Sequence, residues 1–110
     1  MKKSRKPDPN LLKRLVSIIV PLVHPKRIIL FGSAARGQMH EDSDLDVLVV
    51  MRDGVRRNSV CDRIYLKLWG FGFPKDIVVV TEGDVALYTD NPYTIIHSAL
   101  KEGRELYHAA

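Results

Sequence analysis

Two short polar motifs interrupt aliphatic segments of the chain and could together do chemistry. The pair Gly32-Ser33 follows one aliphatic run, and Asp44 and Asp46 begin another. Side chains two residues apart in a strand point to the same face, so the two carboxylates should lie side by side. A divalent cation would relieve their repulsion, and carboxylate oxygens suit Mg²⁺ or Mn²⁺. The spacing therefore predicts a metal site at Asp44 and Asp46.

The segment in front of the carboxylates could hold a phosphate group. Gly32 lets a ligand approach the main chain, and Ser33 supplies a hydroxyl beside free backbone amides. A short helix over residues 34–36 would point its positive end at the same place, and Arg36 would add a cation with bidentate geometry. Facing anion and metal sites suit a metal-bound nucleoside triphosphate.

Each motif also has a purely structural interpretation. A Gly-Ser pair alone is usually only a turn, and an Asp pair can be a solvated strand end. Arg36 could equally brace the loop through a carboxylate. The coincidence of an aliphatic strand, a Gly-Ser turn, a spaced Asp pair and a later strand that opens with Asp favours an active site.

The segment 32–47 resembles the signature of the DNA polymerase beta superfamily of nucleotidyltransferases. It contains Gly32-Ser33, ten intervening residues and Asp44-Leu45-Asp46-Val47. The resemblance implies a third carboxylate on a later strand. Asp76 is the candidate because it is the other acidic residue that opens a strongly β-prone run, residues 75–81. Lys75 stands where the superfamily often has an apolar residue.

Over residues 11–107 the chain is most similar to the minimal nucleotidyltransferase (MNT) antitoxins. The similarity includes Ala35-Arg36-Gly37 and the segment 99–103 that leads into Leu106-Tyr107. It implies an enzyme that takes ATP with Mg²⁺, or with Mn²⁺, transfers AMP to a hydroxyl and releases pyrophosphate. The implied acceptor is a tyrosine of a cognate HEPN-family ribonuclease toxin, in a type VII (HEPN/MNT) toxin-antitoxin pair.

The same resemblance implies a role for each site residue. Gly32, Ser33 and Arg36 would bind the nucleotide. Asp44, Asp46 and Asp76 would be the catalytic and metal-binding residues, and Asp76 would also help to activate the attacking hydroxyl.

Two other functions fit the same motifs. A binding antitoxin could block its partner by occlusion and keep the nucleotide site only as a vestige. A nucleotidyltransferase could instead act on a small hydroxylated molecule or on an RNA end. Three carboxylates argue against the first function, and the short chain, which has little material for an acceptor domain, argues against the second.

Length and composition indicate one compact domain. The chain has 110 residues, of which 45% are hydrophobic. We expect a basic N-terminal tail over residues 1–10 and a minimal nucleotidyltransferase domain over residues 11–110. So small a domain has little material for a separate acceptor-binding domain, so a partner should present the acceptor. The chain could form a hetero-oligomer with the toxin or a homo-oligomer.

Cysteine content and charge indicate a soluble cytoplasmic protein. Cys61 is the single cysteine, so no internal disulfide can form. No apolar run approaches the ~20 residues of a membrane span, and the basic start lacks the apolar stretch of a secretion signal. The net charge of +4 is scattered, so we expect either a solvated surface or an acidic protein partner, and no direct contact with nucleic acid.

The hydrophobic pattern predicts an α/β (α+β) fold, a small mixed sheet flanked by helices. Asp8 should cap a first helix that starts at Pro9, and Pro21 should kink or end this helix near Val20. Further helices are predicted over residues 58–69, 82–88 and 91–103, and strands over 27–31, 44–51, 77–80 and 104–107.

Three residues outside the motifs could still serve the function. His40 lies in the loop between the turn and Asp44, so it alone among the histidines could reach the cleft. Leu66 and Trp69 lie off the main apolar face of the predicted helix 58–69. If they are exposed, they would indicate a patch that binds a partner.

Overall fold

Helices and strands alternate along most of the chain. The computed structural model describes residues 6–40 and 43–110, and the basic segment 2–5 lies outside them. The helices in the described residues are α1 (Pro9–Val23), α2 (Gly32–Ala35), α3 (Arg57–Lys67), α4 (Glu82–Tyr88) and α5 (Ile95–Glu102). The strands are β1 (Arg27–Phe31), β2 (Leu45–Met51), β3 (Lys75–Thr81) and β4 (Arg104–His108).

The four strands form one mixed sheet in the order β3-β2-β1-β4. β1 pairs antiparallel with β2 and with β4, whereas β3 runs parallel to β2. The register places Phe31 opposite Asp46 and Asp46 beside Asp76. The end of β1 and the carboxylate positions of β2 and β3 therefore lie at the same end of the sheet, and the predicted mixed α/β fold is confirmed.

Alternating strand residues build a core on each face of the sheet. Ile28 and Leu30 pack with the buried residues of α1 and α3, whereas Ile29 packs on the opposite face with α5. Asp46 has the parity of Leu48, which also packs with α5, so its side chain belongs to that second face. The site thus lies at the end of the second core.

In α1, tertiary packing outweighs the local tendency of Pro21 to end a helix. Asp8 caps the helix by accepting a hydrogen bond from the Asn10 amide at 2.9 Å, as predicted. The prediction of a helix end near Val20 is wrong, because the helix continues through Pro21 to Val23. Pro21 is exposed, so the carbonyl that it leaves without a partner can face water, while buried Ile19 and Val23 keep the last turn packed.

Two other helix boundaries differ from prediction for reasons of backbone chemistry. α3 ends at Lys67 instead of Trp69, and the chain turns away at Gly70 with φ of 78°. α5 begins at Ile95 instead of residue 91, because the Thr94 hydroxyl accepts the His97 amide hydrogen bond and starts the helix there. None of the helices in the described ranges is long and apolar enough to cross a membrane.

Candidate functional site

Gly32 forms the sharp turn between β1 and α2. Its φ is 69°, in the left-handed region that favours glycine. A β-carbon at this position would overlap with the Asp46 Oδ2 atom. Both the backbone conformation and the space therefore require glycine, and the turn lies directly against the second carboxylate of the Asp pair.

Asp46 is the most constrained of the three carboxylates. It is half-buried on β2, and this burial raises the pKa of its carboxyl group. The neighbouring carboxylates of Asp76 and Asp44 raise the pKa further, whereas Arg36 lowers it. The structure thus brings like charges together around Asp46, as predicted for the Asp pair and for Asp76.

Asp44 and Asp76 flank Asp46 and are both exposed. Asp44 lies one residue before β2 instead of within the strand, which the predicted range 44–51 had included. The next residue, Leu45, donates its amide hydrogen bond to the Pro74 carbonyl at 2.9 Å and so fixes the start of β2 against the segment before β3. Asp76 lies on β3 beside Asp46.

These carboxylates have the donor chemistry for a divalent cation. Among the described residues, no three histidine, cysteine or acidic side chains already form a metal-ligand group. Asp76 and Asp44 nevertheless lie close enough to Asp46 to raise the pKa of its carboxyl group, in addition to the larger effect of burial. Hard oxygen ligands at one end of the sheet fit Mg²⁺ or Mn²⁺.

Ser33 and Arg36 complete the predicted phosphate segment. Half-buried Ser33 lies in α2, and its carbonyl accepts the Gln38 amide at 2.9 Å, which closes the following loop. The Arg36 guanidinium donates to the Gln38 side chain at 3.1 Å and lies 3.6 Å from the Glu102 carboxylate. These contacts brace the loop, and contact of Arg36 with a nucleotide stays a prediction.

Tyr65 is a residue of the site that the sequence patterns did not single out. They assigned it only to the apolar face of the second long helix. Its hydroxyl accepts the Ile77 amide at 2.8 Å and lies 3.4 Å from the Asp76 Oδ1 atom. A tyrosine on an apolar helix face carries one polar atom that needs a partner, and this was the available signal.

The three peripheral residues divide into two groups. His40 lines a cavity of about 460 Å³ together with residues of the N-terminal segment and of the loop before β3. In the described part of the chain, no predicted site residue lines this cavity. Leu66 is 79% exposed and Trp69 is 89% exposed. This exposure is what a partner-binding patch at these residues requires.

Known proteins resemble this chain in sequence and in fold. The family model for the nucleotidyltransferase domain matches residues 11–106. MJ0604 of Methanocaldococcus jannaschii, named as a candidate protein adenylyltransferase, is 37% identical over 83 residues, which cover 74% of this chain and 78% of that protein.

The fold also matches solved structures. Two crystal structures of mutants of the toxin-antitoxin pair MntA-HpeT align with TM-scores of 0.60 and 0.58 at 17% and 18% identity. Each alignment covers 94% of this chain and 75% of the matching chain. These likenesses show a shared fold.

Proposed function

Because this chain belongs to the nucleotidyltransferase domain family, we propose that it transfers AMP from ATP to a protein hydroxyl and releases pyrophosphate. One observation carries the proposal. The Asp46 carboxylate lies against the Gly32 turn and beside Asp76, so a phosphate-sized turn and clustered carboxylates share one end of the sheet. The relative named as a candidate protein adenylyltransferase supports a protein as the acceptor.

Each residue has a distinct task in this reaction. The main chain at Gly32 and the Ser33 hydroxyl hold the triphosphate, and Arg36 adds positive charge nearby. Asp44, Asp46 and Asp76 are the residues that would hold Mg²⁺, or Mn²⁺ in its place. The bound cation supplies neutralisation of the charge on the triphosphate and on the leaving pyrophosphate.

Asp76 is placed to act on the acceptor because it lies on the outer strand and is exposed. Its carboxylate takes the proton of the attacking hydroxyl, and the acceptor oxygen forms a bond to the α-phosphorus of ATP. The bond from that phosphorus to the oxygen that bridges to the β-phosphate breaks, and pyrophosphate leaves with that oxygen. The products are an AMP ester of the acceptor and pyrophosphate.

The proposed acceptor is a tyrosine of a HEPN-family ribonuclease toxin, and the chain acts in the cytoplasm as its antitoxin. The resemblance to MNT antitoxins supports this partner, and MntA-HpeT shares the fold. Leu66, near the end of α3, and Trp69, just after it, are exposed apolar residues that follow Tyr65 along the chain, and the Tyr65 hydroxyl contacts Asp76. We propose that the toxin binds at these two residues.

Transfer of labelled AMP to the cognate partner tests the proposal. The native chain should label the partner from ATP that carries the label at its α-phosphate, in a reaction that excess chelator stops. Asp76→Asn should abolish labelling and leave the complex intact in a pull-down. Asp90→Asn, a change at an exposed aspartate between α4 and α5, serves as the matched control and should label normally.

The same experiment separates transfer from occlusion. If the native chain labels no partner while all variants still neutralise the toxin, then occlusion is the function and the enzyme proposal fails. If Asp76→Asn labels the partner at the native rate, then Asp76 is not the third carboxylate.

A further inference from the structure

Two side chains of α3 contact the backbone at the outer edge of β3. β3 ends the sheet on one side, so the backbone groups that point away from β2 have no strand partner. At Ile77 both groups are satisfied by α3. The Tyr65 hydroxyl accepts the Ile77 amide hydrogen at 2.8 Å, and the Cys61 Sγ atom lies 3.7 Å from the Ile77 carbonyl oxygen.

The hydrogen bond from the Ile77 amide determines which hydrogen bond the Tyr65 hydroxyl can still make. A phenol has one proton, and because its oxygen accepts from the Ile77 amide, that proton remains free to be donated. The Asp76 Oδ1 atom lies 3.4 Å away and can accept it. A phenol keeps its proton at neutral pH, so the Tyr65 hydroxyl can act as the donor.

Tyr65 reaches Asp76 from the opposite side of the sheet. Ile77 packs in the core that contains α3, whereas Val80 packs in the core that contains α5, and Asp76 has the parity of Val80. The Tyr65 hydroxyl therefore passes around the free edge of β3 to meet a carboxylate that belongs to the other face. It contacts the Oδ1 atom of Asp76, the strand neighbour of Asp46.

We propose that Tyr65 is a positioning residue, which restricts the orientation of the Asp76 carboxylate, and that binding of the metal and activation of the acceptor hydroxyl depend on this restriction. This inference rests on the proposed function. Asp76 is exposed, and among the described residues the Tyr65 hydroxyl is its side-chain hydrogen-bond partner, so a donor fixed by both α3 and β3 restricts the carboxylate. Without the hydroxyl, the carboxylate would sample more orientations.

Cys61 offers a matched control for the proposal. It lies one helical turn before Tyr65 and contacts the same residue of β3, but its contact is with the Ile77 carbonyl and not with Asp76. Tyr65→Phe and Cys61→Ala each remove one link between α3 and β3. Only Tyr65→Phe removes the link to the carboxylate. Both variants should fold cooperatively with lowered Tm.

Two measurements test the positioning role. Tyr65→Phe should lower the kcat of AMP transfer by about tenfold, change the KM for ATP less than twofold, and raise the Mg²⁺ concentration for half-maximal rate several-fold. Calorimetry of Mn²⁺ with a non-hydrolysable ATP analogue should show several-fold weaker binding to Tyr65→Phe. Cys61→Ala should match the native chain in both measurements.

The possible outcomes decide the proposal. Native kcat and native Mn²⁺ affinity in Tyr65→Phe would overturn it, and an equal loss in Cys61→Ala would show that the link between α3 and β3 matters only for stability. The calorimetric measurement needs no acceptor protein. If the native chain modifies no protein, the proposed function fails, while a selective loss of Mn²⁺ affinity in Tyr65→Phe still supports the positioning of Asp76.

Discussion

The two halves of the site are held in different ways. The inner half, Gly32 and Asp46, lies where β1 ends and β2 begins and is fixed by strand pairing and by lack of space. The outer half, Asp76 and Tyr65, lies on the edge strand and on α3 and is fixed by hydrogen bonds of a single hydroxyl. In the proposed function, the inner half holds the nucleotide and the outer half meets the incoming protein.

The largest expected effect comes from the inner half. Asp46→Asn should reduce AMP transfer by about 100-fold or more, because it removes the carboxylate that lies between the turn and the other two carboxylates. The rate of labelled AMP transfer at saturating ATP measures this. A loss of less than tenfold would mean that the inner half is not the centre of the site.

The same substitution should change how stability depends on pH. Burial, together with Asp76 and Asp44, raises the pKa of Asp46, so the folded chain holds this proton more tightly than the unfolded chain. Stability therefore falls as the pH rises through the raised pKa and stays lower above it. Asp46→Asn should raise the Tm at neutral pH and flatten the fall in Tm above the ordinary pKa of an aspartate, in thermal melts from acid to neutral pH. An unchanged profile would contradict the charge crowding.

Gly32→Ala tests whether space or backbone conformation makes the turn specific. A side chain at positive φ costs about 1–3 kcal/mol, and the added β-carbon would also displace the Asp46 carboxylate. ATP binding measured by calorimetry should be lost. Gly72→Ala is the control, since its φ is 90° and a β-carbon added there would meet nothing within 4 Å. It should lose stability but keep ATP affinity, and an equal loss of affinity would indicate strain alone.

A moderate effect is expected at the surface beside the outer half. Trp69→Ser should weaken binding of the partner by about tenfold and leave ATP affinity unchanged, because the indole is exposed and Trp69 is not among the predicted nucleotide-binding residues. Surface plasmon resonance with the immobilised partner measures this. Tyr93→Ser removes an equally exposed aromatic between α4 and α5. If Tyr93→Ser weakens partner binding more than Trp69→Ser does, the partner docks at the segment between α4 and α5.

The smallest effect is expected at Arg36. Its partners Gln38 and Glu102 are exposed, so loss of the brace should cost less than about 1 kcal/mol. Arg36→Ala and Glu102→Ala should lower the Tm to a similar extent in thermal melts. ATP affinity distinguishes the two roles. A loss in Arg36→Ala alone indicates contact with the nucleotide, and equal affinities indicate a brace.

The inner half of the site could be predicted because its determinants are close in sequence. Gly32 follows a strand at once, Asp46 begins the next, and the period of two in both strands fixes their faces. The bounds of β1 and α4 are also as predicted, since Thr81 caps α4 with a reciprocal hydrogen bond to Asp84. Local chemistry was sufficient at these positions.

The outer half could not be predicted because it depends on contacts between distant elements. Nothing near Tyr65 in the sequence indicates that its hydroxyl meets the Ile77 amide, twelve residues later. The same holds for Pro21, which tertiary packing keeps inside α1, and for Thr94, whose cap starts α5 later than the predicted start at residue 91. Sequence periodicity predicts which face of a helix or strand is buried, but it does not predict which elements pack against each other.

The pairing of β1 with β4 has a consequence for the order of folding. Arg27 pairs with His108, so β1 gains its second neighbour only after more than seventy intervening residues have been synthesised. Until then the strand that leads to Gly32 is a bare edge, open to association with other chains. The nucleotide turn lies early in the chain, yet its supporting strand is protected late, so we expect AMP transfer to begin only after β4 has docked.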